Sequence, residues 1–550
     1  MSGSGRKYYS TVGVDIIDTM EGISSSSNSH GHHGDGSSGI GIDIIHDNPL
    51  HRSDDDDDHA PNKILDNSIL SSSSSSSQLS ERSTLLSYKL FQNFIIFCFL
   101  FSITHATVDG VLAFATAELG SKIGADSGFA LYFCYTLTAL LFAKPCLRYL
   151  GPKHGVFVGL CCLFIYVTSF LFSLRSPSMA FGLFVVGSSI GGIGAGILWT
   201  SQGQYYSLNA SAYSSASSED LSKVSINFAA IFASIYLLLE TVFQLMATAI
   251  FLYRSDEKKN SSADEWKTIV FSLYTLSAFV SIVAFHFFVL PLKLGSNRYS
   301  TDAHSSTIRS VLQSNNGNNG IMATDNHVSA MLINTNDRDN ESREAYKIVN
   351  DILAVGTAII HDRRIQLLIP FQISFGLTAG FFGYYINAFI VADYVGDGYI
   401  GFFTGIATFS AVILSIPYAR IANHARYGPW IIMLFGAVCF TFAGLPLLIA
   451  SNQQISSWYF LVIYYAIHGA ARGAWESTNK AIVTDIFQSE KNRTIAFASI
   501  YFTSGLAGAF GFLFNQYMSR TALASVNTIL PFIAFICIFL LMKKSVTTSA

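Results

Sequence analysis

The chain has 550 residues and a net charge of −3, with 50% hydrophobic and only 13% charged residues. Soluble domains carry about 25% charged residues, so the deficit excludes an ordinary soluble protein and implies that much of the surface faces lipid. The near-neutral balance, with no basic stripe outside the loops that flank apolar segments, gives no basis for a nucleic-acid partner.

Residues 1–88 read as a polar cytosolic tail, with Ser24–Ser27, Asp54–Asp58 and Ser71–Ser77 as low-complexity runs. Such runs bury too little apolar surface to offset chain entropy, so disorder is predicted. His30, His32 and His33 lie in a Gly/Ser context and read as part of it, so no metal site is predicted there. Near the end of the tail, Glu81-Arg-Ser-Thr-Leu85-Leu86 fits the acidic dileucine pattern that adaptors read for endosomal and lysosomal sorting. Leu85 and Leu86 also fit the opening of the first span.

From Leu90 onward, apolar segments recur at the roughly 20-residue length that a spanning helix needs. Twelve are predicted, at roughly 90–113, 126–146, 155–174, 179–203, 224–252, 267–290, 365–391, 399–418, 429–450, 457–480, 494–516 and 522–542. They group as an N-terminal six-helix bundle, 89–291, and a C-terminal one, 363–543, followed by a short cytosolic tail, 544–550. Between the bundles lies a polar cytosolic loop, 292–362. Its end, "EAYKIVNDILAVGTAII", sets Ile348, Ile352, Leu353 and Ile359 at helical spacing and predicts an amphipathic helix on the membrane.

In the first span His105 and Asp109 stand four apart. The fourth carries Gly187, Gly191, Gly192, Gly194 and Gly196, a spacing that lets helices approach closely, and then Trp199 and Gln202. The fifth holds Glu240 near its middle, with Tyr236 and Gln244 on the same face. A carboxylate at that depth must be protonated, paired or facing water, which makes it a candidate binding residue. His286, near the end of the sixth span, reads as a packing residue. In the tenth, Arg472, Glu476 and Lys480 form a stripe at four-residue spacing, flanked by Trp475 and Asn479. The stripe fits a salt-bridge ladder that pins the helix end, with Lys480 snorkelling. It also fits the lining of a central cavity, and the two can coexist.

The two halves repeat. "PCLRYLGP" (145–152) follows the second span and "PYARIANHARYGP" (417–429) the eighth; both read Pro-x-x-Arg and then Gly-Pro. Trp199-Thr-Ser-Gln in the fourth span corresponds to Trp475-Glu-Ser-Thr in the tenth. "FASIY" occurs at 232–236 and again at 497–501. Three matches in order predict parallel six-helix halves about an axis normal to the membrane. By the last match Glu240 corresponds to Gly505, so the charge breaks the symmetry.

Basic residues near span ends favour cytosolic termini by about two to one. The sequon at Asn260 then falls outside, between the fifth and sixth spans, as the predicted glycosylation site. The seven cysteines lie in apolar runs, without metal-ligand or disulfide spacing. The sequence carries no nucleophile–base pair and no nucleotide fingerprint, so neither enzyme nor cofactor is predicted.

"GAGILWTSQGQYYS" (194–207), "HDRRIQLLIP" (361–370) and "RGAWESTNKAIVTDIF" (472–487) resemble the Unc-93-like family, a branch of the major-facilitator superfamily. The most specific element is Trp-x-x-Gln followed by a tyrosine, here Trp199, Gln202 and Tyr205. Animal members often repeat Trp-x-x-Gln in span ten; Thr478 and Glu476 depart from that, closer to fungal and plant branches. The resemblance implies an all-α membrane protein of two pseudo-symmetric six-helix bundles. It implies a role in regulating or escorting another membrane protein, an ion channel or receptor, at the plasma membrane or an endolysosomal membrane. The alternative is a secondary transporter of a small solute, with Glu240 as its proton or cation site. The family supplies no agreed binding residues. The candidates Asp109, Trp199, Gln202, Tyr236, Glu240, Gln244, Arg472, Trp475, Glu476 and Asn479 therefore rest on the residues themselves.

Overall fold

The structure, a computed structural model, describes residues 67–257, 265–292, 349–350, 352–424, 427–487 and 489–549. Among the described residues, twelve main helices carry the architecture. The first half contains α1 (Asn67–Leu119), α2 (Ser121–Leu141), α3 (Ala143–Arg175), α4 (Ala180–Ser217), α5 (Leu221–Glu257) and α6 (Glu265–Phe288). The second contains α7 (Arg363–Phe381), α8 (Ile400–His424), α9 (Gly428–Thr441), α10 (Trp458–Ile486), α11 (Glu490–Asn515) and α12 (Arg520–Ser549). The axis of α7 continues as a π-helix, Phe382–Ala392, and that of α9 as a short helix, Leu445–Ile449.

Among the described residues, ten helices are long and apolar enough to cross a membrane. The other two long helices are α2 and α10; α10 carries the buried polar side chains Glu476, Asn479 and Lys480. The α2 helix packs on α4 and α11, and α10 packs on α8, α9 and α5. A helix face turned to protein need not be apolar, because its polar groups find partners there.

Packing within the halves is matched pair by pair. Helix α1 packs on α5 and α6 as α7 packs on α11 and α12. The pairs α2–α4 and α3–α6 have counterparts in α8–α10 and α9–α12. Between the halves, α5 meets α8 as α11 meets α2. This is the pseudo-twofold arrangement of two parallel six-helix bundles, with α4 and α10 in equivalent places.

Contacts at helix ends define two faces. On the tail face, where α1 begins, Lys153 Nζ donates to the His286 carbonyl at 3.0 Å, and Asn423 donates to Asn227 at 3.2 Å. On the far face, Lys267 joins the end of α1 to the loop before α8.

Local chemistry sets the boundaries. Gly151, at φ +71° before Pro152, breaks α3 near its start in a conformation that favours glycine. Asp362 caps α7 by accepting from the Arg364 amide at 2.8 Å. The hydrogen-bonded Arg364 guanidinium holds the Asp362 carboxyl below the usual carboxylate range. A short apolar helix, Ile352–His361, precedes α7, with Val355 buried and Leu353 and Ile360 exposed.

The first helix starts well before the apolar run, at Asn67, so residues 67–88 of the predicted tail are helical. Once the span has nucleated a helix, each added residue gains a hydrogen bond at little further cost, even through serine. Leu85 and Leu86 are exposed on this extension. The Glu81 side chain, Asn260, the low-complexity runs up to Asp58 and the central loop through Ile348 lie outside the described residues. His286 packs against the Phe157 ring at 5.1 Å.

Candidate binding cavity between the bundles

Three helices bring ionisable groups to the centre. On α1, His105 and Asp109 stand one turn apart. On α5, Tyr236, Glu240 and Gln244 share a face over successive turns, and all three are buried. On α10, Arg472 projects across from the other bundle. Its guanidinium grips Glu240 bidentately, with Nη1 to Oε1 and Nη2 to Oε2 both at 2.7 Å. Nη2 also lies 3.3 Å from Asp109 Oδ2 and donates to the Tyr236 hydroxyl at 3.2 Å. That hydroxyl donates to Asp109 Oδ2 at 2.9 Å. His105 Nδ1 stands 3.0 Å from the hydroxyl and 3.3 Å from Asp109.

The network closes on itself. Isolated charges at this depth would each carry several kcal/mol of desolvation penalty. Planar, two-pronged pairing of guanidinium and carboxylate is the geometry that best offsets it. Because Arg472 belongs to one bundle and Glu240 and Asp109 to the other, the pairing also ties the halves together.

The cavity around this cluster has a volume of about 210 Å³. Nine residues singled out in the sequence line it: His105, Asp109, Trp199, Tyr236, Glu240, Gln244, Arg472, Trp475 and Glu476. Toward the tail face, Trp199 meets His105 edge-on at 5.0 Å and stacks toward Tyr501 at 6.4 Å. Glu476 Oε2 lies 3.9 Å from Lys480 Nζ. That ammonium sits over the Phe232 ring at 4.9 Å and the Trp199 ring at 5.4 Å. Lys480 is buried, so it does not snorkel; of the α10 stripe, Glu476 and Lys480 pair with each other, while Arg472 bonds α5 and lines the cavity.

Two candidates fall elsewhere. Gln202 lines a smaller recess with Lys480 and Arg493. Asn479 is committed to Gln372 of α7, donating at 3.1 Å and accepting at 2.9 Å. Gln372 Oε1 also accepts from Trp475 Nε1 at 2.9 Å, while the Trp475 ring stacks on Phe375 at 3.8 Å.

Gln372 was missed because the sequence reading followed charges; a lone amide in an apolar span was the available signal. The same applies to Asn387 in the π-helix, which accepts from Tyr465 at 2.5 Å and donates to the Ala113 carbonyl at 3.2 Å. His468, stacked on Phe382 at 3.9 Å, also lines the cavity. At the far face, Lys267 Nζ bridges Glu118 at 2.6 Å and Asp397 at 3.2 Å, again joining the bundles. Among the described residues no group of three or more His, Cys, Asp or Glu side chains is placed to hold a metal ion.

The repeat is visible in the walls. Trp199 and Trp475 both line the cavity, as do Tyr236 and Tyr501. Glycine stands where the partner half has a charge. Gly505 corresponds to Glu240, and Gly196 precedes Trp199 by the interval at which Arg472 precedes Trp475.

The family model described as "Ion channel regulatory protein UNC-93" matches residues 119–539, more than half of the chain. No curated protein matches the chain in sequence. Several solved structures share its fold. The E. coli xylose transporter XylE, in a partially occluded inward-open conformation, superposes with a TM-score of 0.50 at 14% identity, covering 84% of this chain and 97% of that one. The proton:xylose symporter XylE bound to 6-bromo-6-deoxy-D-glucose gives 0.52 at 12% identity, over 84% and 95%. A bacterial homologue of the iron transporter ferroportin, outward-facing with soaked iron, gives 0.51 at 13% identity, over 82% and 98%. At these identities the likeness establishes the major-facilitator fold and nothing finer.

Proposed function

The chain belongs to the UNC-93 family of ion channel regulatory proteins, and from that premise we propose that it regulates or escorts another membrane protein, an ion channel or a receptor. The observation that carries this reading is the family match over residues 119–539. The centre of the molecule supports it. Arg472, Glu240, Asp109 and Tyr236 satisfy one another across the bundle interface, so these groups need no cargo to balance them. Such a scaffold would present its lipid-facing helices to a partner. Both termini lie in the cytosol in this reading, which follows the bias of basic residues, and Asn260 carries a glycan on the other side. The membrane is the plasma membrane or an endolysosomal one, the second supported by the exposed Leu85-Leu86 pair.

The test is recovery of the intact chain from its native membranes in mild detergent, followed by current recordings from the co-purified channel with and without it. A change in current amplitude or surface delivery is expected. The proposal fails if no membrane protein co-purifies while the chain alone, in liposomes, drives solute flux.

One observation favours a secondary transporter as the alternative: a buried carboxylate, Glu240, on the wall of a cavity between two pseudo-symmetric bundles. There, alternating access would use Glu240 as its proton or cation site. Glu240→Gln in liposomes would then lose pH-dependent flux. Unchanged flux would remove this alternative.

A further inference from the structure

The cavity wall has an imbalance of charge that the central network does not absorb. Three carboxylates stand here (Asp109, Glu240 and Glu476) against two cations, the Arg472 guanidinium and the Lys480 ammonium beside Glu476. Arg472 is committed to the first two. Glu476 is different. It is 3% exposed, its Oε2 is fully buried, and that oxygen accepts no hydrogen bond among the described residues. The Lys480 ammonium, at 3.9 Å, stands beyond hydrogen-bond reach. A buried carboxylate oxygen without a donor is costly, and it faces a cavity with room for a small molecule.

The surroundings specify what would fill it. The same cavity wall carries the rings of Trp199, Trp475 and Tyr501, and ring faces attract cations. Lys480 shows the arrangement already in use: an ammonium held between the Glu476 carboxylate and the rings of Trp199 and Phe232. Size sets the other limit. At about 210 Å³ the cavity falls below the roughly 300–1,000 Å³ of drug-sized sites.

We propose that the central cavity binds a small organic cation, a protonated amine on a compact skeleton, whose ammonium donates to Glu476 Oε2 among the rings of Trp199, Trp475 and Tyr501. An anion would need to displace Glu240 from Arg472, whereas an ammonium meets a carboxylate oxygen that accepts no hydrogen bond, although it would share that carboxylate with Lys480. The inference does not rest on the channel-regulating reading, since an effector of a regulator and the cargo of a carrier would occupy the same place. The experiment reads binding alone, so its failure leaves that reading standing.

Three probes of matched shape decide it: 2-phenylethylamine, neutral 2-phenylethanol and anionic 3-phenylpropionate. Each is titrated into the purified full-length chain in lipid nanodiscs, following tryptophan fluorescence. The amine is expected to give saturable quenching at millimolar concentration or below, at least tenfold tighter than either analogue. Glu476→Gln should weaken the amine about tenfold, while Glu118→Gln at the far face leaves it unchanged. Three results overturn the proposal: no saturable quenching by the amine, an analogue binding as tightly, or unchanged amine binding in a monodisperse Glu476→Gln protein. If that variant does not remain monodisperse, the ranking of the three probes on the wild-type chain decides alone.

Discussion

The two seams that join the bundles are related by pseudo-symmetry yet chemically opposite. Along α5 and α8 the contact is a row of hydrogen bonds. Thr241 donates to Thr408 at 2.7 Å and Thr404 donates to Gln244 at 3.1 Å. Thr248 donates to the Gly398 carbonyl at 2.9 Å, and Ser234 donates to Ser415 at 3.3 Å. Along α2 and α11 the contact is glycine against ring. Tyr132 stacks on Phe512 at 5.7 Å, and a Cβ on Gly508 would come within 2.7 Å of the Tyr132 ring. Across the centre the contrast recurs: Arg472 pairs with Glu240 on one side, whereas Trp199 stacks toward Tyr501 on the other. A duplicated scaffold thus keeps its helix positions while one interface becomes directional and the other depends on close fit. Directional bonds fix register on the first seam; on the second close fit does so, with Gln516 donating to Asp126 at 3.4 Å at its end.

The sharpest way to break the comparison is at its ionic end. Arg472→Met would leave Glu240 and Asp109 buried without a counter-charge, a loss of about 3–5 kcal/mol in reversible unfolding in detergent. Adding Glu240→Met should restore most of it, because an apolar pair of similar volume replaces the ion pair. If the double variant is no more stable than the single, the pairing does not account for the loss.

On the close-fitting seam, Gly508→Val forces the Tyr132 ring to move and should cost about 1–3 kcal/mol by the same measurement. Thr241→Val on the polar seam removes one hydrogen bond and should cost about 1 kcal/mol, with Thr241→Val/Thr408→Val nearer to wild type. A larger effect from Thr241→Val than from Gly508→Val would reverse the assigned ranking of the seams. At the exposed tail-face end of the polar row, Asn423→Ala should change stability by no more than about 0.5 kcal/mol. A larger loss in the melting curve would show that the row's end is as firmly held as its middle.

Much of this was legible in the sequence, for a physical reason. Repeated strings preserve helix positions, so "FASIY" in both halves located α5 and α11 as equivalents. Spacing of four placed Tyr236, Glu240 and Gln244 on one face. Periodicity reports which face a residue occupies but not which helix comes to meet it. That is why the α10 stripe alone does not reveal that Arg472 reaches α5, nor that Lys480 is buried rather than snorkelling. Neutral polar groups were hidden by apolar neighbours: Gln372 organises Trp475 and Asn479 from within an otherwise ordinary span. The bridge from Lys267 to Glu118 and Asp397 joins residues far apart in the chain, and no local pattern signals it.

The π-helix at Phe382–Ala392 gives α7 a property its neighbours do not share. Wider turns hold a surplus of backbone that can be drawn back into ordinary helical winding. Re-registering by one residue swings every side chain beyond that point by about 100° around the axis. Asn387 would then leave the Ala113 carbonyl, uncoupling the far end of α7 from α1, while Gln372 and the tail-side half kept their partners. Such a change would turn the outer half of the span without moving the inner half.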